Sequence, residues 1–148
     1  MTNFMEEALK EAKKGLKKNE VPIGAVVVKN GKIIGRGHNE REKKKNALRH
    51  AEIIAIDKAC KHEKSWRLDD CQLYVTLEPC PMCAGAIANA RIKTIFYGAK
   101  EQTSKDNLCE IILTSSRLNH KVEMIFDEQY CQECSSLLTE FFKAKRKN

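Results

Sequence analysis

The sequence predicts an α/β domain spanning residues 1–148, built on a five-stranded mixed sheet. Three observations lead there. Short runs rich in β-branched residues alternate with helical patterns, the mark of strands interleaved with helices. Asn30-Gly31, between the first two of those runs, is a strong type I′ hairpin signal and makes these strands antiparallel neighbours. The last two strands are separated by a crossover long enough for a parallel pair.

The elements follow in order. Residues 3–19 predict an amphipathic helix with Phe4, Met5, Ala8, Leu9, Ala12 and Leu16 as its apolar stripe. Asn3 and Glu6 suggest a capping box with Asn in place of Ser or Thr. Strands are expected at 23–29 and 32–38, and the run Ala25-Val26-Val27-Val28 predicts a strand covered on both faces. Gly24 marks either a close backbone approach to a ligand or a plain strand-start glycine. Residues 39–49 predict a polar loop, carrying Arg41, Lys43, Lys44 and Lys45, that walls a substrate pocket. Within it Asn39 either meets a base or ribose or caps a turn, and Arg49 either meets a phosphate or fills a nucleotide's space. A helix over 50–62 buries Ile53, Ile54, Ile56 and Ala59, and Trp66 is expected to anchor the next loop. A third strand, 72–76, stops at Pro79, and Cys80 opens a helix to about residue 90. A strand over 94–98, a short helix over 108–116, a strand over 121–126 and a helix over 128–146 complete the chain.

Bulk properties narrow the function classes. The chain has 148 residues, seven cysteines and a formal net charge of +7. The odd cysteine number and the N-terminus, which lacks a basic stretch leading into an apolar one, predict a reducing cytoplasm. No apolar run approaches the roughly 20 residues of a bilayer-spanning helix. The positive charge fits an anionic partner such as RNA, or else a solvated lysine-rich surface.

The chemistry sits in His50-Ala51-Glu52 and Pro79-Cys80-Pro81-Met82-Cys83, together H-x-E followed by P-C-x-x-C. One imidazole and two thiolates are zinc donors, and three protein ligands leave the fourth tetrahedral position open, as catalytic sites do. Glu52, two residues from His50, is placed to move protons without ligating. The combined pattern is the signature of zinc nucleobase deaminases. Cysteines at a helix start have lowered pKa values, which favours the thiolates zinc requires. Cys131 and Cys134, a second C-x-x-C on the last helix, are expected as core thiols rather than a second metal site. His38, His62 and His120 are expected to be surface or structural.

The chain resembles the cytidine deaminase-like fold and, more narrowly, the bacterial tRNA adenosine deaminases. The likeness rests on residues 21–25, 37–39, 50–52, 65–68, 74–86, 91–92, 97–99, 118–123 and 134–142. It implies a three-layer α/β/α fold and conversion of the wobble adenosine of a tRNA to inosine. It also implies a homodimer across which the anticodon loop lies. The candidate site residues are Glu52 for catalysis, His50, Cys80 and Cys83 for one zinc ion per subunit, and, from position alone, Asn39, Gly24 and Ala51 for substrate. Two segments depart from the family pattern. Ala47-Leu48-Arg49 stands where the family has Pro-Thr-Ala, and residues 100–108 replace a Gly- and Ser-rich loop. Both border the substrate site in the family, so a free base or nucleoside is the alternative substrate.

Overall fold

The computed structural model describes residues 2–101 and 108–146. The chain runs α1 (Phe4–Lys17), β1 (Gly24–Lys29), β2 (Lys32–His38), α2 (Arg41–Lys44), α3 (Ala51–Glu63), β3 (Cys71–Leu77), α4 (Pro81–Asn89), β4 (Thr94–Ala99), α5 (Leu108–Thr114), β5 (Glu123–Phe126) and α6 (Cys131–Arg146). A 3-10 turn over Glu128–Tyr130 leads into α6. The sheet order is β2-β1-β3-β4-β5. β1 is antiparallel to both β2 and β3, whereas β3–β4 and β4–β5 are parallel, which is the mixed sheet expected.

Local chemistry explains the boundaries. Asn3 caps α1 by accepting from the Glu6 amide at 3.1 Å. The return arm of a capping box is replaced by a tertiary contact, since Glu6 accepts from the Tyr130 hydroxyl at 2.6 Å and ties α1 to the entry of α6. Asn30 and Gly31 have φ of 50° and 74°, both left-handed as a type I′ turn requires.

The sheet is covered on both faces. Ala25, Val27, Leu73, Val75 and Ile95 pack with Ala51, Ala55 and Ile87 of α3 and α4, and with Leu113 of α5. On the opposite face Met5, Ala8 and Leu9 of α1 pack with Tyr130 and Cys134, and Tyr74 and Phe96 pack against them. Successive strand residues point to alternate faces, so a strand between two helical layers is buried throughout, as Val26, Val27 and Val28 are.

The helices lie close enough to the strands to require glycine. A Cβ on Gly24 would overlap the Ala8 carbonyl oxygen and come within 2.9 Å of the Glu11 Cβ. Its small size therefore serves the packing of α1 on β1, not the ligand approach considered from the sequence. Gly35 and Gly37 lie equally close to the α3 backbone at Ala55 and Ala51. Gly35→Ala would force a backbone shift, and we expect a loss of about 3 kcal/mol, the upper part of the overpacking range. A urea midpoint unchanged from wild type would contradict this close packing.

Two sequence expectations are corrected. The 39–49 segment is not all loop, because Arg41–Lys44 forms the single turn α2, ended by Lys45 at φ 49°. Trp66 is not a packing anchor: it is 59% exposed, with the Arg67 and Arg91 guanidinium groups 5.4 and 5.8 Å from its ring centroid. Leu68, fully buried, plugs the core instead and donates its amide to the Ala90 carbonyl at 2.7 Å.

Other expectations hold. Cys134 is buried against Gly98, where an added Cβ would strike its sulfur, and Cys131 is half-buried. His120 contacts the Ile92 carbonyl at 2.7 Å, and His62 is exposed beside Glu63. His38 packs on Glu11, with Nδ1 3.3 Å from the carboxylate. Burial would raise the Glu11 carboxyl, but hydrogen bonds from His38 and Lys14 outweigh it and hold it at about 2. Among the described residues, no helix is long and apolar enough to cross a membrane.

Candidate active site

α3 and α4 bring the two halves of the motif together at their starts. His50 and Cys80 are the N-cap residues, both extended (ψ 154° and 169°), and neither side chain caps its helix. Their side chains are therefore free to turn toward each other, and Pro81 at the first turn of α4 supplies the preset φ of a helix start. Cys83 follows one turn later and is fully buried.

The donor atoms of His50, Cys80 and Cys83 lie within 4.8 Å of one another. His50 Nδ1 is 3.7 Å from both Cys80 Sγ and Cys83 Sγ. Zinc bonds of about 2.0–2.1 Å to nitrogen and 2.3 Å to sulfur, at a tetrahedral angle, put N and S roughly 3.6 Å apart. The three residues thus fit a zinc ion in spacing as well as in chemistry. The thiol pair also suits a cation. The hydrogen bond between the two sulfurs holds the Cys80 thiol down to about 5 and, together with burial, pushes the Cys83 thiol up.

Glu52 lies one helical step inside α3, 4% exposed. Burial, reinforced by the nearby Cys80 thiolate, raises its carboxyl to about 7. With His50 and Ala51 it lines a cleft of about 610 Å³. That volume lies within the usual range for small-molecule sites.

The other sequence-derived site residues divide. Asn39 and Ala51 line the cleft, and Gly24 is not among its lining residues. Arg41 lines it too, whereas Lys43, Lys44 and Lys45 are exposed beyond its lining. Arg49 neither fills the cleft nor points into it; its guanidinium lies 3.7 Å from the Glu40 carboxylate. Thr76 accepts from the Gly24 amide at 3.1 Å, Leu77 reaches the cleft wall, and Glu78 accepts from the Glu101 amide at 3.0 Å. In the segment that departs from the family pattern, Lys100 and Glu101 line the cleft. Residues 102–107 lie outside the described residues, as does Lys147 of the basic tail.

Sequence reasoning missed the wall contributed by α6, formed by Leu138, Thr139, Phe142 and Arg146. Leu138 and Phe142 look like core positions in a helical pattern. Phe142 is nevertheless 44% exposed, so the apolar stripe of α6 is wider than the face the sheet buries.

A three-layer mixed sheet with this donor set and a buried carboxylate at paired helix starts defines a deaminase of the cytidine deaminase-like class. Comparison with known proteins narrows the class. The family model of the MafB19-like deaminases matches residues 1–146. A Streptococcus pyogenes protein named tRNA-specific adenosine deaminase is 50% identical over 147 residues, covering 98% of this chain and 91% of that one. A structure from work on A-to-I editing by tRNA:A34 deaminases at the wobble position of transfer RNA matches with a TM-score of 0.83 at 36% identity, covering 91% of this chain and 98% of that one. A guanine deaminase from Bacillus subtilis matches with a TM-score of 0.66 at 33% identity, covering 100% of this chain and 96% of that one. The chain belongs to the MafB19-like deaminases and, among them, to the family of tRNA-specific adenosine deaminases.

Proposed function

We propose that this protein deaminates the wobble adenosine of a tRNA hydrolytically to inosine. Water is consumed and ammonia released. The observation that carries the proposal is the placement of Glu52 in the lining of the cleft, beside the His50, Cys80 and Cys83 donor set. Those three residues would hold one zinc ion per subunit. When bound, zinc supplies the Lewis acidity that lowers the pKa of water toward about 7. Glu52 accepts the proton of the attacking water and delivers it to the ring nitrogen beside C6. It then carries the proton of the hydroxyl now on C6 to the departing amine, which leaves as ammonia as the C6–N bond breaks and the C6 carbonyl forms. Asn39 and the Ala51 backbone border the same space and orient the base. The apolar side chains Leu77, Leu138 and Phe142 exclude bulk water from it. The proposal includes a homodimer in the cytoplasm, with the anticodon loop lying across both subunits.

A second reading, deamination of a free base or nucleoside, is supported by the similarity to the guanine deaminase. The two separate in one assay. The zinc-loaded protein is offered an arginine tRNA with adenosine at the wobble position and, separately, adenine, adenosine, cytosine and guanine. Inosine formed in the tRNA alone is the expected result. Ammonia from a free base, with the tRNA untouched, would overturn the tRNA reading.

Salt gives an independent measure. Lys43, Lys44 and Lys45 are exposed beside the cleft residue Arg41, where an anticodon loop would pass. Each phosphate neutralised on a single strand contributes about −0.7 to the slope of log affinity against log salt. Replacing all three lysines by Ala is expected to flatten that slope by about 2 and to leave zinc content alone. A tRNA affinity indifferent to salt would mean that these lysines only solvate the surface.

A further inference from the structure

Glu20 lies between α1 and β1 and is 1% exposed. Both of its carboxylate oxygens accept main-chain amides from across the fold, Oε1 from Glu42 at 3.1 Å and Oε2 from Lys43 at 2.7 Å. Among the described residues its hydrogen-bond partners are these amides and not a cation. They are the free N–H groups of the first turn of α2, where a negative charge is favoured by the helix dipole and by charge-assisted hydrogen bonds. The helix's own N-cap residue, Glu40, makes no capping bond. Its carboxylate lies instead 3.7 Å from Arg49 and 3.9 Å from His38. Asn39 takes the Arg41 amide locally, and the Glu42 and Lys43 amides are taken by a residue more than twenty positions earlier.

The position of α2 explains what such a remote cap can do. Four residues are far too few for a helix to hold itself in water. The segment leaves β2 at Asn39, whose side chain accepts from the Arg41 amide at 3.3 Å. It closes again where the Glu40 amide donates to the Arg49 carbonyl at 3.0 Å, directly before the donor residue His50. Asn39 and Arg41 both line the cleft. Glu20 itself adjoins Val21, another lining residue, and its approach is set by Asn19 at φ 62°. One buried carboxylate therefore locks the α1–β1 junction to the segment that presents Asn39 and Arg41.

We propose that Glu20 is a positioning residue for substrate binding, fastening the α2 segment so that Asn39 and Arg41 meet the substrate in fixed places. This rests on the reading of the cleft as the substrate site. Glu20→Ala removes both acceptors. Glu20→Gln keeps the volume and one acceptor but turns an N–H toward an N–H. On wobble-adenosine tRNA, Glu20→Ala is expected to raise KM about tenfold with kcat within about twofold, and Glu20→Gln to fall between it and wild type. Zinc content should equal wild type, and amide exchange at Glu42 and Lys43 should accelerate in both variants. An unchanged KM in the Gln variant despite faster exchange at those amides would overturn the proposal, as would loss of kcat and zinc together. If wild type leaves tRNA untouched, the tRNA reading fails on its own, and the same KM comparison is made on whichever free base wild type deaminates. Should Glu20→Ala fail to fold, the Gln variant carries both readouts.

Discussion

Glu52→Ala is expected to cut turnover about 10⁴-fold, the upper end of what a positioned general acid–base contributes, and to leave zinc at one ion per chain. The reaction asks one carboxyl to move two protons in turn, the first from the attacking water to the ring nitrogen and the second from the hydroxyl then on C6 to the departing amine. Among the described residues that line the cleft, Glu52 is the carboxylate that adjoins His50, whose ring is turned to the two sulfurs. Truncating a buried side chain also leaves a cavity, so the Ala variant alone would mix chemistry with packing. Glu52→Gln separates them: it fills nearly the same volume, cannot carry a proton, and is expected to lose turnover as fully as Ala. Deamination by either variant within tenfold of wild type would remove Glu52 from the role. Equal loss of activity and zinc would instead make it a support of the metal site.

The grouping of His50, Cys80 and Cys83 was legible from the chain alone because their placement is local. Each half of the motif sits at a helix start, and N-cap geometry fixes where His50 and Cys80 point without long-range information. The hairpin was legible for the same reason, through two residues able to adopt positive φ. What escaped the sequence depends on distant partners. Gly24 signals a close approach, but the sequence does not say to what, and the answer is the backbone of α1. Trp66 and Leu68 are both large and apolar within one short loop, and it is Leu68, held by its amide to the Ala90 carbonyl, that is buried. The turn α2 is announced locally by Asn39 alone, which takes the Arg41 amide, while the Glu42 and Lys43 amides are taken by the distant Glu20. The α6 wall was hidden because a stripe that faces both a sheet and a cleft has the periodicity of one that faces a sheet alone.

The departures from the family pattern also acquire a physical meaning. Ala47-Leu48-Arg49 leads directly into His50, yet Arg49 turns to Glu40 and Leu48 is 58% exposed. Neither is a cleft-lining residue, so the altered tripeptide leaves the lining of the site intact. The other departure does reach the cleft, through Lys100, whose ammonium lies 4.7 Å from the centre of the Phe126 ring. Substrate discrimination is therefore more exposed to change at the end of β4 than at the approach to α3.

Cys83→Ala is expected to abolish zinc retention and, with it, activity. Cys83 is fully buried at the end of a tight donor set, and among the described residues no sulfur beyond Cys80 and Cys83 joins that set. Cys109 supplies the comparison: it is buried too, but it stands outside the group formed by His50, Cys80 and Cys83. Cys109→Ala should therefore keep one zinc per chain, and Cys83→Ala should hold almost none after dialysis against a mild chelator. Stability supplies a second readout. A ligand that binds only the folded chain stabilises it by RT ln(1 + [L]/Kd), about 4 kcal/mol at a thousandfold excess over Kd. Chelation should accordingly lower the Tm of wild type and of Cys109→Ala, and leave the Tm of Cys83→Ala where it was. Stoichiometric zinc in Cys83→Ala, or a Tm that still falls on chelation, would show that the metal is held elsewhere.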